Sequence, residues 1–129
     1  DEQIALAKWL DARFGYYGWM HPANELGQSG SIGLVMKAKR KGVKKGFPDV
    51  LIFKGSRASL IVGNHGSSTP YIYKGVALEL KRAKGAKVSA EQYRWLDELQ
   101  NRGWRTVIAY GAQDAINQLS RIYDKEAVA

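Results

Sequence analysis

The stretch "GVALELKRAKG" (residues 75–85) decides how the chain is read, because its apolar and polar residues alternate. Val76, Leu78 and Leu80 fall on one side of an extended chain, and Ala77, Glu79 and Lys81 on the other. A period of two predicts a strand with one face in a core. The polar side has two readings: Glu79 and Lys81 form the wet face of an ordinary strand, or they converge on a site. Glu-x-Lys is a cheap pattern, and a chain of this charge content holds about one by chance. The surrounding sequence has to decide.

Upstream, "GFPDVLIF" (46–53) predicts a turn leading into a strand over 50–53, with Asp49 at its mouth. Proline has no amide hydrogen and suits the entry to a strand, so Pro48-Asp49 alone reads as a turn. Between the two acidic strands, "SLIV" (59–62), a loop "GNHGSST" (63–69), "YIY" (71–73) and the turn Lys74-Gly75 are expected to continue one sheet. Downstream, Ser89-Ala90-Glu91-Gln92 is a capping box that opens a helix to about Arg102, ended by Gly103. Its apolar stripe reads as Tyr93, Leu96 and Leu99, with Trp95 beside it. "RTVIAY" (105–110) predicts a strand and "AQDAINQLSRIY" (112–123) a last helix.

At the other end, residues 2–14 predict a helix on the spacing of Ile4, Ala7, Leu10 and Phe14, stopped by Gly15. "YYGWMH" (16–21) reads as extended, "PANELGQSG" (22–30) as a loop, and Ser31 as the cap of a helix to about Arg40 or Lys41. The order of elements indicates an α/β sandwich built on a mixed sheet.

The 129 residues are 45% hydrophobic and 25% charged, ordinary for a globular chain, and the length predicts one domain over 1–129. No apolar run approaches the roughly 18 residues that span a bilayer. "DEQIALAKWL" opens acidic and lacks the basic start of a secretory signal, so a cytoplasmic location is expected. Cysteine is absent, which excludes disulfides and thiolate metal sites. The net charge of +8 favours a polyanionic partner. It is concentrated in "KAKRKGVKK" (37–45), where Lys37, Lys39, Arg40, Lys41, Lys44 and Lys45 form either a solvated helix end or a phosphate-contacting edge.

Asp49 and Glu79 lie on apolar strands predicted to be neighbours, directly behind this basic segment. Two ionised carboxylates side by side repel, and a divalent cation compensates them. All-oxygen ligation selects Mg²⁺ or Mn²⁺. Lys81, two residues beyond Glu79 and on the same face, points at the same place, where an ammonium serves a water or a phosphoryl transition state. That chemistry is phosphodiester hydrolysis. His21, in a strand before Pro22, and His65, in a loop, read as structural and surface residues before they read as bases. Trp9, Trp19, Trp95 and Trp104 are scattered over separate elements, which favours packing over base stacking.

With these residues in hand, the chain resembles the PD-(D/E)XK nuclease superfamily and, within it, the VRR-NUC branch. The ordered pieces are "HPAN" (21–24), "KAKRKGV" (37–43), "GFPD" (46–49), "ELK" (79–81), "SAEQ" (89–92) and "LQNRG" (99–103). Two departures stand out: Ala23 is an extra residue between proline and asparagine, and the 55–74 stretch is longer than the usual hairpin.

The resemblance implies a restriction-endonuclease-like core, a mixed β-sheet flanked by helices. It also implies a metal-dependent DNA endonuclease in which Asp49, Glu79 and the Leu80 carbonyl bind Mg²⁺ or Mn²⁺ and Lys81 serves the attacking water. Gln92 matches the glutamine near the family's active site, and it is also the capping-box residue. A further acidic residue completes such sites, with Glu2 and Glu25 as rival candidates. Standalone members of the branch, typical of phages and bacteria, act as homodimers on branched DNA in the manner of Holliday-junction resolvases. The alternatives are a single-site flap or nicking nuclease, and a DNA-binding module without catalysis.

Overall fold

The computed structural model describes residues 1–22, 32–62, 67–82 and 85–127. Its elements are α1 (Glu2–Phe14), β1 (Trp19–Met20), α2 (Ile32–Arg40), β2 (Val50–Ile52), β3 (Ser56–Val62), β4 (Ser67–Tyr73), β5 (Val76–Lys81), α3 (Ala90–Asn101), β6 (Arg105–Tyr110) and α4 (Ala112–Ala127). The main sheet has the order β1-β2-β5-β6, antiparallel except for the parallel pair β5–β6. Parallel neighbours need a crossover, and α3 supplies it.

β5 forms as its period predicts, but both of its faces are covered: Ala77 and Glu79 on the polar side are buried too, beneath α3, and Leu80 is half-buried. Val76 and Leu78 are fully buried, as are Val50 and Ile52 on β2, and all four join Leu6 and Leu10 of α1 and Leu119 and Tyr123 of α4 in one cluster. Each such side chain contributes about 1.5–3 kcal/mol by leaving water. α3 packs against β5 and β6 and buries Leu96 and Leu99. The sheet therefore lies between α1 with α4 on one side and α3 on the other.

Three other local expectations change. In α1 the buried residues are Leu6 and Leu10, while Ile4 is 58% exposed. The helix carries apolar residues on more than one face, and contact with α4 selects the stripe on which Glu2, Leu6 and Leu10 are spaced by four. In α3 the stripe reduces to Leu96 and Leu99, because Tyr93 is exposed.

The third change concerns β3 and β4. They pair only with each other, from Ser56↔Tyr73 to Val62↔Ser67, and form a separate two-stranded sheet instead of continuing the main one. β5 takes the place beside β2, with Ile52 opposite Val76. Gly75 makes this return possible: a Cβ there would lie 2.1 Å from the Ile52 carbonyl oxygen.

Candidate active site

The pairing of β2 with β5 sets Val50 opposite Leu78, and the same register one step further brings Asp49 to Glu79. Residues directly opposite in an antiparallel pair share a face and stand about 4.5–5.5 Å apart. Asp49 Oδ2 accepts a 2.7 Å hydrogen bond from the Leu80 amide, which fixes this carboxylate to the backbone of β5. The N–H and C=O of one strand residue point to the same side, so the Leu80 carbonyl faces Asp49 as well.

Glu79 is almost fully buried, at 3% exposure. Its Oε1 accepts from Gln92 Nε2 at 2.7 Å, and Lys81 Nζ lies 3.8 Å from the same oxygen. Oε2 is buried with no protein donor, beside the Asp49 carboxylate. Burial first, then the neighbouring Asp49, raises the Glu79 pKa from 4.5 to about 8, and Lys81 opposes the rise. A buried carboxylate beside another, with one oxygen unsatisfied, calls for a proton or a cation.

Gln92 holds the arrangement together from α3. Its backbone N–H donates to Ser89 Oγ, and its Oε1 accepts from the Ser89 amide at 2.8 Å, which closes the capping box. The same Oε1 accepts from Lys81 Nζ at 2.7 Å, while Nε2 donates to Glu79. Capping and contact with the acidic strand thus fall to one side chain.

Glu2 meets a different partner. Its carboxylate accepts from the Ala112 amide at the N-terminus of α4, where negative charge is favourable. That end of α4 is close to the site, since the Gly111 amide donates to the Lys81 carbonyl. Among the described residues no cluster of three or more His, Cys, Asp or Glu side chains assembles. Glu25 and His65 lie outside the described residues.

The basic segment is split. Lys37, Lys39 and Arg40 occupy the last turn of α2, and Lys41, Lys44 and Lys45 follow in the connection to Asp49; all six are exposed. His21 has a contact that no local signal announced: its Nδ1–H donates to the Asp49 carbonyl at 2.6 Å, across 28 residues. The Gln3 side-chain amide of α1 lies 3.3 Å from the same nitrogen.

The sequence model of the VRR-NUC domain matches residues 4–113. No curated protein matches the chain. A solved structure described as a VRR_NUC domain protein is similar with a TM-score of 0.69, covering 95% of this chain and 85% of that one, at 20% identity. The likeness shows a shared fold, and the mixed sheet flanked by helices agrees with the restriction-endonuclease-like core that the sequence implied. No described helix is long and apolar enough to cross a membrane.

Proposed function

From the premise that the chain belongs to the VRR-NUC family of nuclease domains, we propose that it cleaves DNA as an endonuclease dependent on Mg²⁺ or Mn²⁺. Asp49, Glu79 and the Leu80 carbonyl are the protein ligands of the metal in this reading, and Lys81 serves the attacking water. The observation that carries it is the bridge made by Gln92, which ties Glu79 to Lys81 beside Asp49. An ordinary solvated strand face has no reason to bury a carboxylate next to another.

The donor set fits a hard cation. Two carboxylates and a peptide carbonyl offer only oxygen, and Mg²⁺ is usually held by one or two carboxylates with water completing its octahedron. The unsatisfied Glu79 Oε2 is an atom such an ion would engage. When bound, the cation acidifies water and neutralises charge on phosphoryl oxygens.

The chain's own groups do the positioning. An ammonium has three N–H donors. Gln92 Oε1 takes one from Lys81, Glu79 Oε1 attracts a second, and the third is left for a water or a non-bridging phosphate oxygen. Hydrolysis then forms a bond from the water oxygen to phosphorus and breaks the bond to the leaving sugar oxygen, which takes up a proton.

The finer reading is a homodimer acting on branched DNA. Two sites related by a two-fold axis match a symmetric four-way junction. Ile32 and Met36, four apart on one face of α2, support a surface for self-association, being 80% and 52% exposed, and α2 buries no residue among those described.

The test incubates the protein with labelled four-way junction, flap and linear duplex, in Mg²⁺, Mn²⁺ or EDTA. Junction cleavage that EDTA abolishes is expected. Cleavage confined to flaps or nicks would favour a single-site nuclease, and binding without cleavage would favour a DNA-binding module. Cleavage that persists in EDTA would refute the metal-dependent mechanism.

A further inference from the structure

Two lysines at the end of the basic segment, Lys44 and Lys45, face a second cationic bank on α3. Arg94 and Glu98 of α3 and Arg102 at its C-cap are spaced by four and are exposed along one side. Across from them stand Lys44 and Lys45, and the groove between encloses about 740 Å³, with Trp95 in its lining.

Three contacts fix the lysine bank to the helix. The Trp95 indole N–H donates to the Lys45 carbonyl at 3.1 Å, and its ring meets Phe47 edge to face at 4.9 Å. Gly46 has φ +84°, and a Cβ there would lie 2.9 Å from the Glu91 Cβ. These contacts set the backbone of the lysine bank against α3, and the exposed cationic side chains extend from it. The lysine bank is joined to the site along the chain, through Phe47 and Pro48 to Asp49, while on α3 the groove side chains occupy a different face from Gln92.

We infer that this groove seats the sugar–phosphate backbone of the DNA strand that flanks the scissile bond, with Lys44 and Lys45 on one bank and Arg94 and Arg102 on the other. The inference rests on the nuclease reading and gives the DNA beyond the site a seat at Lys45, four residues along the chain from Asp49. Charge chooses the occupant. Four cations line the groove against the carboxylates of Glu91 and Glu98, and Glu98 is itself drawn to Arg102 at 3.9 Å. Arginine forks suit phosphate oxygens, and the half-buried indole offers an apolar surface to sugars and bases.

The test measures binding by fluorescence anisotropy of labelled duplex in EDTA over a series of salt concentrations, which separates binding from cleavage. The double variant Arg94→Gln/Arg102→Gln should weaken binding and lower the slope of log K against log[salt] by about 1.8, two phosphate contacts at about 0.9 each. Glu98→Gln, which removes negative charge from the same face, should tighten binding. A double variant with unchanged affinity and slope overturns the inference, and so does a Glu98→Gln protein that binds more weakly. Either result leaves the nuclease reading standing if the parent protein cleaves DNA in Mg²⁺. Arginine-dependent binding by a parent that cleaves nothing would instead defeat the nuclease reading and keep the groove.

Discussion

Gln92 Nε2 donates to Glu79 Oε1 across 2.7 Å, so the side chain that closes the capping box of α3 also aims a buried carboxylate. The two duties separate by substitution. Gln92→Glu keeps an acceptor for the Ser89 amide and for Lys81, but loses the donor to Glu79 and adds a like charge. Thermal stability is expected to stay near the parent's, while the cleavage rate falls about 10–100-fold, the usual cost of disturbing a group that orients a metal ligand. Gln92→Ala should lose activity and also about 1 kcal/mol of stability with the hydrogen bond from the Ser89 amide, while the Ser89 Oγ cap remains. Melting curves set beside single-turnover rates check both.

Glu79 makes stability depend on pH. Its carboxyl has a pKa of about 8 in the folded chain against 4.5 as the ordinary value. Between these values the folded state binds more protons than the unfolded one. The stabilisation is therefore fully present below pH 4.5 and is lost as pH rises through 8. Without added metal, Tm should fall over this window for the parent relative to Glu79→Gln. A parent Tm that rises relative to the variant would contradict the assignment.

Metal binding follows from the same proton. Below pH 8, a cation that takes Glu79 as a ligand must displace it, so affinity should rise with pH and about one proton should appear per ion bound. Titration calorimetry with Mn²⁺, in two buffers of different ionisation enthalpy, reads the proton count. Glu79→Gln should abolish that release.

Lys81→Ala removes the ammonium but leaves Asp49 and Glu79. Cleavage is expected to fall by about 10²–10⁴-fold, the range for losing a positioned proton-handling group. DNA binding in EDTA should persist. A variant that still cuts at the parent's rate would remove Lys81 from the mechanism.

On α2, charge and apolar surface make separate predictions. Lys37→Ala/Lys39→Ala should weaken binding alike for all sequences and flatten its salt dependence, by about 0.9 per lost phosphate contact. Ile32→Lys/Met36→Lys should shift a dimer to a monomer in light-scattering mass measurements while the fold is retained. A dimer that survives this change would place the interface elsewhere.

What was legible in the sequence was local. The alternation of Val76 to Lys81 and the Ser89–Gln92 box needed no distant partner to be read, and both appear where expected. The contact between the Asp49 and Glu79 strands followed from two apolar runs bearing acidic ends. Choices made by tertiary packing were hidden. Nothing near Leu6 says that its stripe is buried in preference to that of Ile4; the surface of α4 decides it. The departure of β3 and β4 from the sheet turns on how closely Gly75 approaches Ile52, a distance between residues far apart in the chain. The His21 bond to Asp49 and the α3 bank of the groove were hidden for the same reason.

The β3–β4 hairpin also bears on how the chain folds. Asp49 and Glu79 are 30 residues apart in sequence, and bringing them together closes a loop. Once Ser56 is paired with Tyr73, the open chain between them is cut to about half. Halving a loop reduces the entropy of closure by about 0.6 kcal/mol. The hairpin's own pairing runs inward from Val62↔Ser67, through contacts close in sequence and therefore fast to form. An insertion that adds length to the chain thereby shortens the search that brings the two acidic strands together.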